Sequence, residues 1–119
     1  MAFPLSGLVG RRAQAHIRHL APVPPGRRPP LVARVYAQVE RDFGMAAPPL
    51  VLHAPAPEAL AACWLTLRET LLVPGAAGRA VKEVVAAAVS LRNACPYCVD
   101  VHTTLLHGLI GAADAAALA

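Results

Sequence analysis

The sequence predicts an all-α protein, and three observations support this fold class. Only 4% of the residues are aromatic although 56% are apolar, and alanine contributes most of the apolar fraction, which favours closely packed helices over an aromatic-rich sheet. Proline-rich stretches divide the chain into segments of helix length. Within those segments apolar residues recur three and four positions apart, as on one face of a helix.

Residues 1–30 are predicted to form a basic N-terminal arm and linker rich in proline and arginine. The first 39 residues contain six arginines and no acidic residue, whereas residues 40–119 carry five basic and seven acidic side chains. The arginines are not interleaved with aromatic residues that could stack on bases, so no nucleic-acid partner is expected. The start of the chain also has no cleavage signature of a targeting peptide, and a flexible or subunit-docking arm is the preferred interpretation.

Residues 31–119 are expected to form the helical domain, which begins with a helix from Leu31 to about Phe43. Gly44 suits the left-handed conformation that ends many helices. The proline-rich stretch that follows, as far as Pro57, is predicted to be a connector. The apolar face of this first helix repeats at helical spacing and comprises Leu31, Val32, Val35, Tyr36 and Val39.

A second helix is predicted to begin at Pro57, because proline and Glu58 both suit a first helical turn. Pro74 and Gly75 end it. Its apolar face comprises Leu60, Cys63, Trp64, Leu67 and Leu71.

A third helix is predicted from about Gly78 to Arg92, where Asn93 and Ala94 interrupt the pattern. Pro96 then lies at the first turn of a fourth helix that runs to about Leu109. After Gly111 the alanine-rich end of the chain looks like the beginning of another helix that stops, so one interpretation is that the sequence is a fragment of a longer protein, truncated at its C-terminus. One side of the third helix is apolar and comprises Val81, Val84, Val85, Ala88 and Leu91.

Two further features concern the location of the protein. No apolar run approaches the ~18 residues that a membrane-spanning helix requires, so no membrane partner is expected. The chain has three cysteines, an odd number, and no secretory signal, which argues against a disulfide framework and favours a reducing compartment such as the cytoplasm.

The stretch ACPYCVDVH carries the side chains with the clearest chemistry. Cys95, Cys98 and His102 are spaced by three and four residues, so on one helix they share a face. A helix N-terminus and a nearby imidazole both favour a thiolate, and the pKa of either thiol is therefore expected to lie below the usual value of about 8.5. If the third and fourth helices fold back on each other, the Glu83 carboxylate would orient His102, which would accept a proton from a cysteine.

The complete stretch EVVAAAVSLRNACPYCVDVH, from Glu83 to His102, resembles the AhpD-like alkylhydroperoxidases of the carboxymuconolactone decarboxylase superfamily. The shared pattern is a glutamate, eleven intervening residues, CxxC, three residues and a histidine, and the similar region extends over about residues 82–110. The resemblance implies an AhpD-like helical domain that assembles as an obligate oligomer, a trimer or hexamer. It also implies an enzyme that reduces organic hydroperoxides without haem, flavin or metal, so no cofactor is expected.

Carried over by position, the resemblance assigns a role to each residue of the motif. Cys98 would attack the peroxide, Cys95 would resolve the product to a disulfide, and Glu83 and His102 would relay the proton. A thiol or a lipoylated protein would then act as the reductant. One departure is Tyr97, because many members have a second histidine at that position.

Several alternatives remain open from the sequence. A lactone decarboxylase of the same superfamily would not require a redox-active dithiol, and a non-catalytic helical assembly would use the thiols only for packing. A zinc-binding module could use the CxxCxxxH residues with a fourth ligand. The candidates for that ligand are Cys63, His53 and His107, although Cys63 is expected to lie in the core beside Trp64.

Overall fold

The computed structural model describes residues 17–21, 23 and 25–111. All regular structure in this part of the chain is helical, which confirms the predicted all-α class. Besides the α-helices there are a 3₁₀ turn at Pro25–Arg27 and a π-helical turn at Arg68–Leu72. The α-helices are α1 (Pro30–Phe43), α2 (Pro48–Val51), α3 (Pro57–Leu67), α4 (Arg79–Arg92) and α5 (Pro96–Ile110).

The chain divides into two compact units between Leu72 and Val73. The first unit contains α1, α2, α3 and the π-helical turn, and the second contains α4 and α5. The expected boundary between an arm (residues 1–30) and one helical domain (residues 31–119) stays a prediction. No helix among the described residues has both the length and the apolar character needed to cross a membrane.

The core of the first unit is built on α1, whose predicted apolar face is confirmed. Val32, Val35, Tyr36 and Val39 are buried, and the helix ends at Gly44, which has a φ of 90° and donates its N–H to the Glu40 carbonyl. Left-handed backbone of this kind costs glycine little because it has no Cβ.

Helix α3 packs its buried residues Leu60 and Trp64 against the same core. The indole N–H of Trp64 donates to the Gln38 side-chain oxygen at 3.0 Å, which satisfies the one polar atom of this buried ring. Cys63 is half-buried and also packs there, as expected.

The predicted connector between α1 and α3 contains a short helix that the sequence did not reveal. Helix α2 has prolines at its first two positions, where the missing N–H groups have no intrahelical acceptor in any case. Leu50 and Val51 of this helix, with Ala54 just after it, are buried in the core of the first unit. The connector is therefore a structural part of that core.

Helices α4 and α5 pack against each other in the second unit. The side of α4 that is buried carries Glu83 and Ser90, whereas Val81, Val85 and Leu91 of its apolar side are exposed by 57%, 57% and 68%. Amphipathic patterning normally indicates the opposite orientation. The physical reason is that the Glu83 charge is matched by partners within this unit, as described below.

Candidate functional site

The turn between α4 and α5 positions the two cysteines of the motif. The Cys95 N–H donates to the Ser90 carbonyl at 3.0 Å, and the Ala94 N–H donates to the Leu91 carbonyl at 3.1 Å. Together with a left-handed Ala94 (φ 51°), these bonds form a Schellman motif that ends α4. The chain then enters α5 at once, with Cys95 at its N-cap and Pro96 in its first turn.

Cys95 and Cys98 are free, half-buried thiols. Burial of the Cys98 thiol raises its pKa to about 11, and interaction with the neighbouring Cys95 acts in the same direction. The expectation of a lowered thiol pKa is therefore wrong for Cys98. Loss of hydration outweighs the helix N-terminus there, because burial disfavours the charged thiolate.

The Glu83 carboxylate meets the His102 imidazole in a short hydrogen bond. The distance from His102 Nδ1 to Glu83 Oε2 is 2.7 Å. The His102 side chain is 18% exposed and the Glu83 side chain is 0% exposed. Since a carboxylate can only accept, Nδ1 donates this hydrogen bond, and Nε2 is the ring nitrogen that takes no part in it. The fold therefore makes the contact between α4 and α5 that the sequence left conditional.

Arg79 completes this arrangement and was missed by the sequence reasoning. Its guanidinium contacts Oε1 of Glu83 through Nε at 2.7 Å and Nη2 at 2.5 Å, so each carboxylate oxygen has its own partner. A fully buried carboxylate needs such compensation. The available signal was the spacing, because an Arg–Glu pair four residues apart on a helix lies on one face.

Tyr97 lies beside the sulfur atoms with a buried hydroxyl that has no hydrogen-bond partner among the described residues. Burial, followed by the charges of Cys98 and Cys95, raises the pKa of Tyr97 to about 12. The phenol is therefore a neutral O–H donor at neutral pH. The position where the resemblance implies a second histidine thus holds a group that cannot act as a base there.

No group of three or more His, Cys, Asp or Glu side chains within residues 17–21, 23 and 25–111 has a geometry that could hold a metal ion. The zinc-binding alternative therefore finds no ligand set in that part of the chain. In particular, Cys95, Cys98 and His102 are adjacent by sequence spacing but do not form such a group.

Residues 57–116 match the Carboxymuconolactone decarboxylase family. The chain is also similar to the protein named Alkyl hydroperoxide reductase Rv2159c from Mycobacterium tuberculosis, with 48% identity over 101 residues. That alignment covers 85% of this chain but 29% of the relative, so the chain spans less than a third of the relative's length. No solved structure matches the chain. Because the family match covers half of the sequence and includes all four motif residues, the chain belongs to the Carboxymuconolactone decarboxylase family, as an AhpD-like member.

Proposed function

We propose that this chain carries the dithiol centre of a thiol-dependent peroxidase that reduces organic hydroperoxides. The observation that carries the proposal is the 2.7 Å contact between Glu83 and His102, because it holds a base four residues from Cys98 on the same helix. The printed name of the relative, alkyl hydroperoxide reductase, supports a hydroperoxide as the substrate class.

In the first step the Cys98 proton passes to Nε2 of His102. A base is needed because the pKa of this thiol is raised to about 11. The thiolate then attacks one peroxide oxygen, so that an S–O bond forms and the O–O bond breaks. The departing alkoxide takes the proton from the imidazolium, which Glu83 stabilises, and leaves as the alcohol.

In the second step the Cys95 sulfur attacks the sulfenic acid on Cys98. An S–S bond forms, and the hydroxyl leaves as water after taking the Cys95 proton. Two electrons from an external dithiol then restore both thiols. A lipoylated carrier protein is the proposed reductant class, and a reducing cytoplasm would keep all three cysteines of the chain reduced between turnovers.

Thiol counting tests this proposal directly. The reduced chain has three cysteines, and treatment with cumene hydroperoxide should remove two thiols that a dithiol then restores. Cys98→Ser should abolish turnover, whereas the matched control Cys63→Ser should retain both the turnover and the loss of two thiols. Turnover that survives Cys98→Ser would exclude the assigned nucleophile. A lactone decarboxylase would remain active after replacement of both motif cysteines.

We also propose that the chain acts as a homo-oligomer, a trimer or hexamer. The exposed side of α4 supports this, because Val81, Val85 and Val89 follow one another at four-residue spacing and are all more than half exposed. Light scattering coupled to gel filtration should give a multiple of the chain mass. Val85→Glu should reduce that mass, while Glu58→Gln, on an exposed first turn of α3, should not.

A further inference from the structure

The first unit contains a cavity of about 490 Å³ between α1 and α3. Its volume lies in the range of small-molecule sites, which is roughly 300–1,000 Å³. The apolar part of the lining includes Leu31, Val35, Trp64 and Leu65. The cavity is thus large enough for a small ligand, and it is open to solvent with a lining that is partly apolar.

The charged part of the lining is entirely basic. Arg34, Arg41 and Arg68 line the cavity, and no carboxylate does. Asp42 accepts from Arg41 Nε at 2.8 Å and from Arg68 Nε at 3.2 Å, so these two guanidinium groups are held in place by an acid outside the lining. Arg34, by contrast, has no hydrogen bond or ion pair with any described residue. Within the described part of the chain, the Arg34 guanidinium is therefore a cationic group of the cavity without a counter-charge.

A second polar group adds to this donor-rich lining. The Gln38 oxygen accepts from the Trp64 indole at 3.0 Å, which fixes the orientation of the amide and leaves its NH₂ group free to donate. Gln38 lines the cavity together with Arg34, four residues earlier on α1. Residues at that spacing lie on one face of a helix, so the two donors can act on the same ligand group.

We propose that this cavity binds a small amphipathic carboxylate. The carboxylate would accept hydrogen bonds from the Arg34 guanidinium and the Gln38 amide, since planar guanidinium groups match carboxylates well. The apolar chain would lie against Leu31, Trp64 and Leu65. Helix α1 lies outside residues 57–116, so one wall of this site is not part of the family match. The proposal is independent of the thiol chemistry.

Trp64 offers a direct test, because it is the only tryptophan of the chain and it lines the cavity. The complete chain is titrated with decanoate below its micelle concentration while tryptophan emission is recorded, and calorimetry provides the second readout. Decanoate is expected to change the tryptophan emission, and to release or absorb heat, in a saturable way. Decanol, which lacks the charge, and decyltrimethylammonium, which reverses it, should bind at least about tenfold more weakly.

Paired variants assign the effect to the cavity. Arg34→Gln should weaken decanoate binding by about tenfold, whereas Arg92→Gln, an exposed arginine of the other unit, should leave it unchanged. Circular dichroism verifies that both variants fold. The proposal is overturned if decanoate gives no saturable response, if decanol binds as tightly as decanoate, or if Arg34→Gln has no more effect than Arg92→Gln.

Discussion

The Glu83 carboxylate and the His102 imidazole, nineteen residues apart in sequence, are joined by a 2.7 Å hydrogen bond between Oε2 and Nδ1. Glu83 comes from α4 and His102 from α5, so the contact joins the two helices of the second unit. It also determines which imidazole nitrogen is available. The chemistry proposed for Cys98 depends on that nitrogen.

Replacing the carboxylate should impair turnover. We expect Glu83→Gln to slow peroxide reduction by about 10²-fold, because a neutral amide does not stabilise the imidazolium that forms when His102 takes a proton. Steady-state kinetics with cumene hydroperoxide measure the effect, and Glu58→Gln is the matched control on an exposed helix turn. An unchanged rate in folded Glu83→Gln protein would remove the carboxylate from the relay.

Arg79 should act as a positioning residue for the Glu83–His102 pair. In Arg79→Gln the buried carboxylate loses its guanidinium partner, so turnover of cumene hydroperoxide should fall. Arg79→Lys keeps the charge and should lower turnover less, although lysine cannot reproduce the two contacts. Equal turnover in wild type and folded Arg79→Gln protein would limit Arg79 to a structural role. Arg92→Gln serves as the control.

The thiol of Cys98 should ionise at unusually high pH. In Cys63→Ser protein the rate of alkylation at Cys98, followed by peptide mass spectrometry, should reach half its maximum near pH 11. Additional replacement of Cys95 by serine should lower that midpoint, because the charge of Cys95 then no longer opposes ionisation. A midpoint at or below the usual pH of about 8.5 would contradict the burial argument.

The same shift predicts how stability depends on alkaline pH. The unfolded chain releases the Cys98 proton near the ordinary value of 9.0, whereas the folded chain retains it until about 11. The contribution of the buried thiol to stability is therefore complete below pH 9 and is lost as the pH rises through that window. Between pH 8 and 11 the free energy of unfolding, measured with urea, should decline less in Cys98→Ala protein than in the parent.

Ala94 should be a site where glycine stabilises the fold. Its φ of 51° lies in the left-handed region, which costs a residue with a Cβ about 1 kcal/mol. Ala94→Gly should therefore raise the free energy of unfolding by up to about 1 kcal/mol, while Ala88→Gly, at an exposed position within α4, should lower it by about the same amount. Urea unfolding followed by circular dichroism compares them. Equal destabilisation by both would contradict the Schellman geometry.

Much of the fold could be predicted because its signals are local. The three- and four-residue spacing of Val32, Val35 and Val39 places α1 correctly, and Pro57 and Pro96 open the helices that they were expected to open. Helix α2 could not be predicted, because a four-residue helix that starts with two prolines resembles a connector. Its burial depends on contacts with distant parts of the first unit.

The contact between Glu83 and His102 could be predicted from the sequence as a condition on how two helices fold back, but the environment of the motif residues could not. Spacing brought Cys95, Cys98 and His102 to one helix, yet it could not show that burial would raise the pKa of Cys98. Similarly, valines on α4 indicated a buried apolar side, whereas the buried side carries Glu83 with Arg79 as its partner. Which of two faces packs inward depends on how well a buried charge is compensated, and that requires the tertiary structure.

The position of both sulfurs in the first turn of α5 has a mechanical consequence. The backbone N–H groups of a first helical turn have no acceptor within their own helix, and the first hydrogen bond of α5 runs from the Val99 N–H to the Cys95 carbonyl at 3.0 Å. A disulfide between Cys95 and Cys98 would therefore lie at the very start of the α5 hydrogen-bond ladder. We therefore expect the proposed oxidation and reduction to remain a local event, confined to the turn that precedes the part of α5 carrying His102.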